Sequence, residues 1–348
     1  MGAEDRRQED QAPVVAVGLP GTRPSEGTEG HGWVEPPRKR SAERLRWRRH
    51  TGPVRIVSLL PSATEIVYVL GRGDDLEGVT FECDFPPEVQ RKRVVSSSGL
   101  EASGAEPEAI DAAVRAATEG GTPLYKLDEA AIAAIDPDVI LTQDLCRVCA
   151  VPSGDVDEAL GRLGCDAEVL SLDPSTLDEV IADIGRVGAA IGAEERAAEV
   201  MAALRLELGM MRSVLADRPR PTVLLLEWVD PPFGAGHWIP QMIETAGGTP
   251  VLAAEGTHSG ALTWDAVAEA APDVVIVAPC GFGLDGAVEH AGLALPYLPD
   301  AAAVWAVDGD AYIVRPGPRL VDGVKVLAEI LHPEVVASSS PDAATRVA

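Results

Sequence analysis

The chain has 348 residues, 46% of them hydrophobic and 24% charged, with a formal net charge of -26. That length is a prior for about two domains of ~150 residues each, and the composition excludes a fibrous or wholly disordered chain. The acid excess argues against a nucleic-acid partner, whose phosphates are met by Lys and Arg, and no apolar run approaches the ~18 residues that a spanning helix needs.

Charge divides the chain unevenly: residues 1–52 net +2 and the remainder -28. Arg38-Lys39-Arg40 and Arg44, Arg46, Arg48 and Arg49 follow a stretch rich in Gly, Pro, Glu and Ser that shows no period. Such a composition does not bury a core, so 1–52 is expected as a disordered tail. It holds no apolar signal core, and the apolar stretch after Arg48-Arg49 is broken by Arg55, Pro61 and Glu65. Five cysteines, with Cys146 and Cys149 as a C-x-x-C, do not suggest a disulfide framework. These features lead to the expectation of a reduced, cytoplasmic protein, or of a periplasmic or extracellular one if the start codon lies elsewhere.

From residue 55 the pattern becomes regular. The run 55–60 stops at Pro61, and Ser62-Ala63-Thr64-Glu65 spells a capping box for a helix ending at Leu70-Gly71. A strand over 76–81 follows. The strand 139–143 leads into a helix over 154–163, and the strand 167–172 into a helix over 176–191. Residues 194–216 set Ala197, Val200, Met201, Leu204, Leu208, Met211 and Leu215 on one stripe of helical period. Further strands are expected at 222–228, 274–278 and 311–314, with Pro318 opening the last helix. Short apolar strands alternating with helices imply an α/β fold with parallel sheets covered on both faces.

An internal repeat sharpens this reading. Residues 134–141 and 270–276 share a helix end, a Pro-Asp and a buried strand, and 55–71 parallels 222–248. The expected organisation is the tail 1–52, an α/β lobe over 53–192, one linking helix over 193–217, a similar lobe over 218–333 and a disordered tail over 334–348. Because open α/β sheets bind ligands beyond the carboxyl ends of their strands, two facing lobes create a cleft.

Arg55-Ile56-Val57-Ser58-Leu59-Leu60-Pro61-Ser62-Ala63-Thr64-Glu65, the paired Pro-Asp strand starts and the single linking helix resemble the substrate-binding proteins of cobalamin and ferric-siderophore ABC importers, the helical-backbone metal-receptor superfamily. The resemblance covers residues 54–333. It implies limited hinge motion, a ligand in the cleft, and one surface carboxylate per lobe docking onto arginines of a membrane permease. The family's offset before the Pro of Pro-Asp falls on Ala130, beside Glu129, in the first lobe and on Asp265 in the second.

Several residue types suited to ligands lie past strand carboxyl ends. Cys83 sits in Phe81-Glu82-Cys83-Asp84-Phe85-Pro86, Cys146 and Cys149 follow the 139–143 strand, Cys280 follows 274–278, and His237 lies in the loop after 222–228. Thiolate and imidazole together suit zinc, or iron, as a bound ion; the plainer reading is that each cysteine is a small buried hydrophobe. Cys165, on the opposite side, is expected to be structural. Glu82, Gln143 and Asp144 share the cleft position. Trp228, Phe233, Trp238 and Phe282 offer flat apolar faces to a corrin- or porphyrin-sized ligand, with core packing the alternative for Trp228. Arg315 is a candidate partner for a ligand carboxylate or phosphate, or for neighbouring acids.

Searches for G-x-x-x-x-G-K-[ST], G-x-S-x-G, H-E-x-x-H and a full G-x-G-x-x-G find none. The reading is therefore a monomeric two-lobed binding protein, not an enzyme, holding cobalamin or a related metal chelate first and a bare metal ion second. A cytoplasmic thiol- or metal-dependent enzyme using Cys146, Cys149 and His237 is the competing class.

Overall fold

The computed structural model describes residues 52–99, 106–120, 122–144, 151–337 and 342–348. The expected tail, apart from Gly52, and the Cys146/Cys149 pair lie outside the described residues.

The first lobe runs β1 (Ile56–Ser58), α1 (Pro61–Val69), β2 (Leu76–Val79), β3 (Arg93–Val94), β4 (Ser96–Ser98), α2 (Pro107–Glu119), β5 (Tyr125–Leu127), α3 (Glu129–Ile135), β6 (Val139–Thr142), α4 (Ser153–Leu163), β7 (Glu168–Ser171) and α5 (Leu177–Ile191). Its parallel sheet has the order β3-β2-β1-β6-β7, and β4 and β5 form a small antiparallel pair. After α6 (Glu194–Leu215), the second lobe runs β8 (Thr222–Val229), β9 (Pro232–Gly234), β10 (Gly236–His237), α7 (Ile239–Thr245), β11 (Thr249–Pro250), β12 (Ala254–Glu255), α8 (Trp264–Ala270), β13 (Val274–Val277), α9 (Leu284–Ala294), β14 (Ala303–Val307), α10 (Gly309–Tyr312), α11 (Leu320–Leu331) and β15 (Ala344–Arg346). Its sheet has the order β11-β8-β13-β14-β15, with β9 folding back on β8.

Alternation along the strands builds a core on each face of both sheets. Ile56, Val139 and Leu141 pack under α1 and α5, whereas Val57 and Ile140 pack with Ile132, Val156 and Leu160 of α3 and α4. In the second sheet Val223, Leu225 and Ile276 face Met242, Ile243 and Leu327, while Leu224, Leu226, Val275 and Val277 face Ala287 and Ala291. A single stripe on α6 feeds both lobes: Ala197 and Val200 enter the first core, and Leu208 and Leu215 the second. Helix α5 joins it there, since Leu177, Val180 and Ile181 also pack in the second-lobe core.

The repeated Pro-Asp has a mechanical role. Asp136 and Ala271 end α3 and α8 in the left-handed region (φ 49° and 42°), and Pro then turns the chain into β6 or β13. The following Asp accepts the first amide of the neighbouring strand: Arg55 N–H donates to Asp138 Oδ2 at 2.9 Å, and Thr222 N–H to Asp273 Oδ2 at 2.8 Å. This sets strand register where each central pair begins, with Ile56 opposite Val139 and Val223 opposite Val274.

The structure corrects four expectations. The Ser62-to-Glu65 spelling is not a capping box: α1 begins with Pro61 after Leu60 and has no side-chain cap. The box that does form is Thr176 with Glu179, at the start of α5. Residues 309–312 are helical instead of part of a strand, because Asp308 caps them by accepting Ala311 N–H at 2.8 Å; the strand is Ala303–Val307, just upstream. The sheets are not purely parallel, since β9 pairs antiparallel with β8, and residues 344–346, placed in a disordered tail, pair antiparallel with β14 because an edge strand was open to receive them.

Replacing either Asp138 or Asp273 by Ala is expected to cost about 1 kcal/mol in urea unfolding, the scale of one lost hydrogen-bond acceptor. Thr222's backbone N–H chiefly holds the Asp273 carboxyl below its ordinary range, so its contribution is present above the unfolded aspartate pKa and is lost as pH falls through the folded value. The D273A deficit should accordingly shrink in acid; an equal deficit at every pH would contradict this role.

Candidate functional site

The first lobe contributes three chain segments past its strand ends. Where β1 meets α1, Ser62 is fully buried with no hydrogen-bond partner for Oγ among the described residues, and Glu65 is buried one turn further on. The β2 exit carries residues 80–86. Cys83 is buried there, its Sγ 3.1 Å from Thr64 Oγ1, and burial pushes the thiol up to about 12. Such a thiol stays protonated at neutral pH and is a poor ligand or nucleophile. Its neighbours on either side point outward: Phe81 and Phe85 are 43% and 42% exposed. Between them Glu82 accepts the Tyr125 hydroxyl at 3.2 Å, and burial raises its carboxyl to about 7. At the β6 exit Gln143 is buried and its Oε1 lacks a partner among the described residues, while Asp144 accepts Ser153 N–H at 2.8 Å and the Ser171 hydroxyl at 3.1 Å.

In the second lobe, the β8 end presents Glu227, which accepts Gly236 N–H at 2.9 Å and the Ser259 hydroxyl at 2.7 Å; burial raises its pKa. Gly236 has no room for a Cβ against the Ser259 backbone, which is why glycine stands there. His237, at φ 50°, stacks on Trp238 at 5.5 Å and meets His258 edge-on at 5.0 Å. Trp228, Phe282 and buried His290 form a three-ring cluster with centroids 4.5–5.9 Å apart.

One short segment of the second lobe, Arg315-Pro316-Gly317-Pro318-Arg319, closes onto the first. Arg319 donates to both carboxylate oxygens of Glu65, at 3.0 Å and 2.5 Å, and its guanidinium carbon lies 4.3 Å above the centre of the Phe85 ring. Arg315 bridges the lobes, 2.7 Å from Asp84 and 3.0 Å from Asp310. Gly317 fits against α1, where an added Cβ would lie 3.3 Å from Ser62 Cβ. Two open hollows elsewhere, one lined by Arg55, Glu77 and Arg93 and one by Arg72, Glu194 and Arg196, do not touch this seam.

Among the residues named from sequence, the structure brings Glu82 and Arg315 to the seam and clusters Trp228 with Phe282. Phe233 is half-buried in β9. Trp238 is a correction: it is 4% exposed and donates its indole N–H to the Ile313 carbonyl at 2.9 Å, so it packs in the core. Arg315 is already held between two carboxylates. No three His, Cys, Asp or Glu side chains among the described residues form a group able to hold a metal ion, and Cys83, His237 and Cys280 therefore do not assemble one. Cys83 belongs to the first-lobe core and Cys280 to the β13 exit. Sequence reasoning missed Glu65, Phe81, Phe85, Tyr125 and Arg319. The doubled arginine around Pro-Gly-Pro was the one visible signal.

Comparison with known proteins follows the same lines. The profile of the periplasmic binding protein family matches residues 56–295. An uncharacterised ABC transporter substrate-binding lipoprotein of Bacillus subtilis, YvrC, is 24% identical over 81% of this chain and 81% of its own length. The vitamin B12-binding protein of Vibrio cholerae is 23% identical over 80% and 88%. Two solved structures share the fold: a periplasmic haem-binding protein from Pseudomonas aeruginosa (TM-score 0.64, 21% identity, 85% of this chain and 98% of that one) and the Vibrio cholerae B12-binding protein BtuF (TM-score 0.58, 22% identity, 80% and 97%). These matches overturn the cytoplasmic expectation, because the family is periplasmic and a relative is a lipoprotein.

The seam itself is testable. Glu65→Ala leaves the Arg319 guanidinium without its carboxylate, a change that costs about 3 kcal/mol where the charge is desolvated. Replacing both residues by Met should restore part of that loss in thermal unfolding. A double variant less stable than either single one would show that the pair does not act as a unit.

Proposed function

The chain belongs to the periplasmic binding protein family, and from that premise we propose that it is the ligand-holding component of an ABC importer, taking a corrinoid or closely related metal chelate between its lobes. The observation that carries the ligand class is the charge balance at the seam. Arg315 and Arg319 are matched by Glu65, Asp84 and Asp310, with Glu82 close by. Neither guanidinium is available to an anionic ligand without first losing a carboxylate. Carboxylate-bearing macrocycles such as haem are thereby disfavoured, and neutral, amide-edged macrocycles such as cobalamin are favoured. Exposed Phe81 and Phe85 and the Trp228–Phe282 cluster supply apolar faces, and a B12-binding relative supports the same class. The role is binding and release, with the metal arriving inside the ligand.

Helices α3 and α8 occupy matching positions before β6 and β13. Their first turns carry Glu129, paired with Arg162 at 2.5 Å, and exposed Asp265. These two carboxylates are the proposed contacts to a permease, one per lobe.

Titrating the purified protein with cyanocobalamin should quench tryptophan emission and saturate at one equivalent. Haemin should bind more weakly. Tighter binding of haemin than of cyanocobalamin would reverse the ligand assignment.

A further inference from the structure

One of the two hollows away from the seam is basic, in a chain whose residues 53–348 carry a net -28. It measures about 530 Å³ and opens at the amino ends of the first-lobe strands, whereas the seam lies past their carboxyl ends. Arg55 precedes β1, Glu77 stands in β2, and Arg91, Lys92 and Arg93 run from a 3-10 turn (Pro87–Arg91) into β3. Arg55 is already committed, since it donates to Asp136 at 2.8 Å and to Asp138 at 3.0 Å. Arg72, Arg115, Arg162, Arg186 and Arg196 each find a carboxylate elsewhere. No ion pair among the described residues includes Arg91, Lys92 or Arg93. Cations on an edge strand such as β3 commonly serve only to keep it from pairing with another sheet. That role is met by side chains strung along the edge; here three consecutive residues share one concavity, and Lys92 is half-buried without a carboxylate partner.

We propose that this hollow is a binding site for a phosphate group, held by Arg91, Lys92 and Arg93. A carboxylate brings one charge and two oxygens, whereas a phosphate monoester brings close to two negative charges and three acceptor oxygens, enough for three converging donors. Arginine meets such oxygens through its paired N–H groups, and lysine meets them as a point charge. Glu77 is the one acid in the wall, and it opposes the anion. Arg55, bound to Asp136 and Asp138, shapes the wall and takes no part in holding the phosphate. The same chemistry is offered by a soluble phosphate ester and by the headgroup of an anionic phospholipid. Because the hollow and the seam lie at opposite ends of the strands, filling one leaves the other free, and the site stands whether or not the ligand assigned above is correct.

Glycerol 3-phosphate serves as the soluble probe, followed by its phosphorus resonance, and vesicles of phosphatidylglycerol and phosphatidylcholine in equal parts serve as the membrane probe, followed by co-sedimentation. The full chain should bind at least one of them, more weakly as added salt screens the exposed cations. Replacing Arg91, Lys92 and Arg93 together by Gln should weaken that binding by about tenfold or more, as the loss of charge-assisted hydrogen bonds does. Glu77→Gln removes the opposing charge and should tighten it. The sequence holds a second Arg-Lys-Arg run at residues 38–40, and replacing that run by Gln should leave binding as in the wild type. Binding of the ester without the vesicles assigns a soluble ligand, and binding of the vesicles without the ester assigns a headgroup. Binding of neither probe, binding that survives the change at residues 91–93, or binding lost through the change at 38–40 instead would overturn the site.

Discussion

Two arginines four residues apart set how the halves of this molecule meet. Arg315 and Arg319 are largely buried, and each finds a carboxylate on the opposite lobe, in Asp84 and Glu65. A desolvated guanidinium is tolerated only when paired, so neither lobe can shift at this seam without exposing or stranding a charge. The intervening Pro-Gly-Pro helps to hold both guanidinium groups in place, because the prolines fix φ on either side and the glycine lets the backbone lie against the start of α1. The same contacts hold the 80–86 loop from above, through Asp84 and the Phe85 ring. The lobes also share α6, whose single apolar stripe enters both cores.

The parts of the fold legible in the sequence are those written as periodicity. Strands β1, β6, β8 and β13 read as short apolar runs because both of their faces are buried, and α6 reads as a long stripe because two cores draw on it. The Pro-Asp repeat was visible as letters, and its meaning is the amide each Asp accepts from the neighbouring strand. What stayed hidden depends on partners far away in the chain. Ser62 and Glu65 spell a cap, but Pro61 already starts the helix, and the carboxylate is drawn to an arginine 254 residues on. Between Trp228 and Trp238, the sequence points to Trp228 as the candidate for core packing, and the structure reverses that choice. One joins a half-buried ring cluster and the other gives its N–H to a core carbonyl, a choice made by α7 and the Ile313 turn.

The cysteines show the same limit. Their placement past strand ends is correct in kind for Cys83 and Cys280, yet a strand end in one sheet and a strand end in another do not converge merely by sharing a side of the fold. Cys83 is enclosed by the first-lobe core and bonded to Thr64. Desolvation keeps it a thiol, and a neutral thiol behaves as a small hydrophobe.

Surface charge and seam charge act on different scales. The net charge of -26 is spread over exposed acids whose fields decay within about 8 Å in physiological salt. It keeps the protein soluble and biases encounters, but it does not choose what sits between the lobes. There the charges are few, close and mutually paired, so an incoming ionic group would have to break an existing pair to gain a new one. A ligand that offers hydrogen-bonding edges and apolar faces meets no such cost. Under the proposed function, discrimination at the seam rests on shape and on hydrogen-bonding edges, not on net attraction.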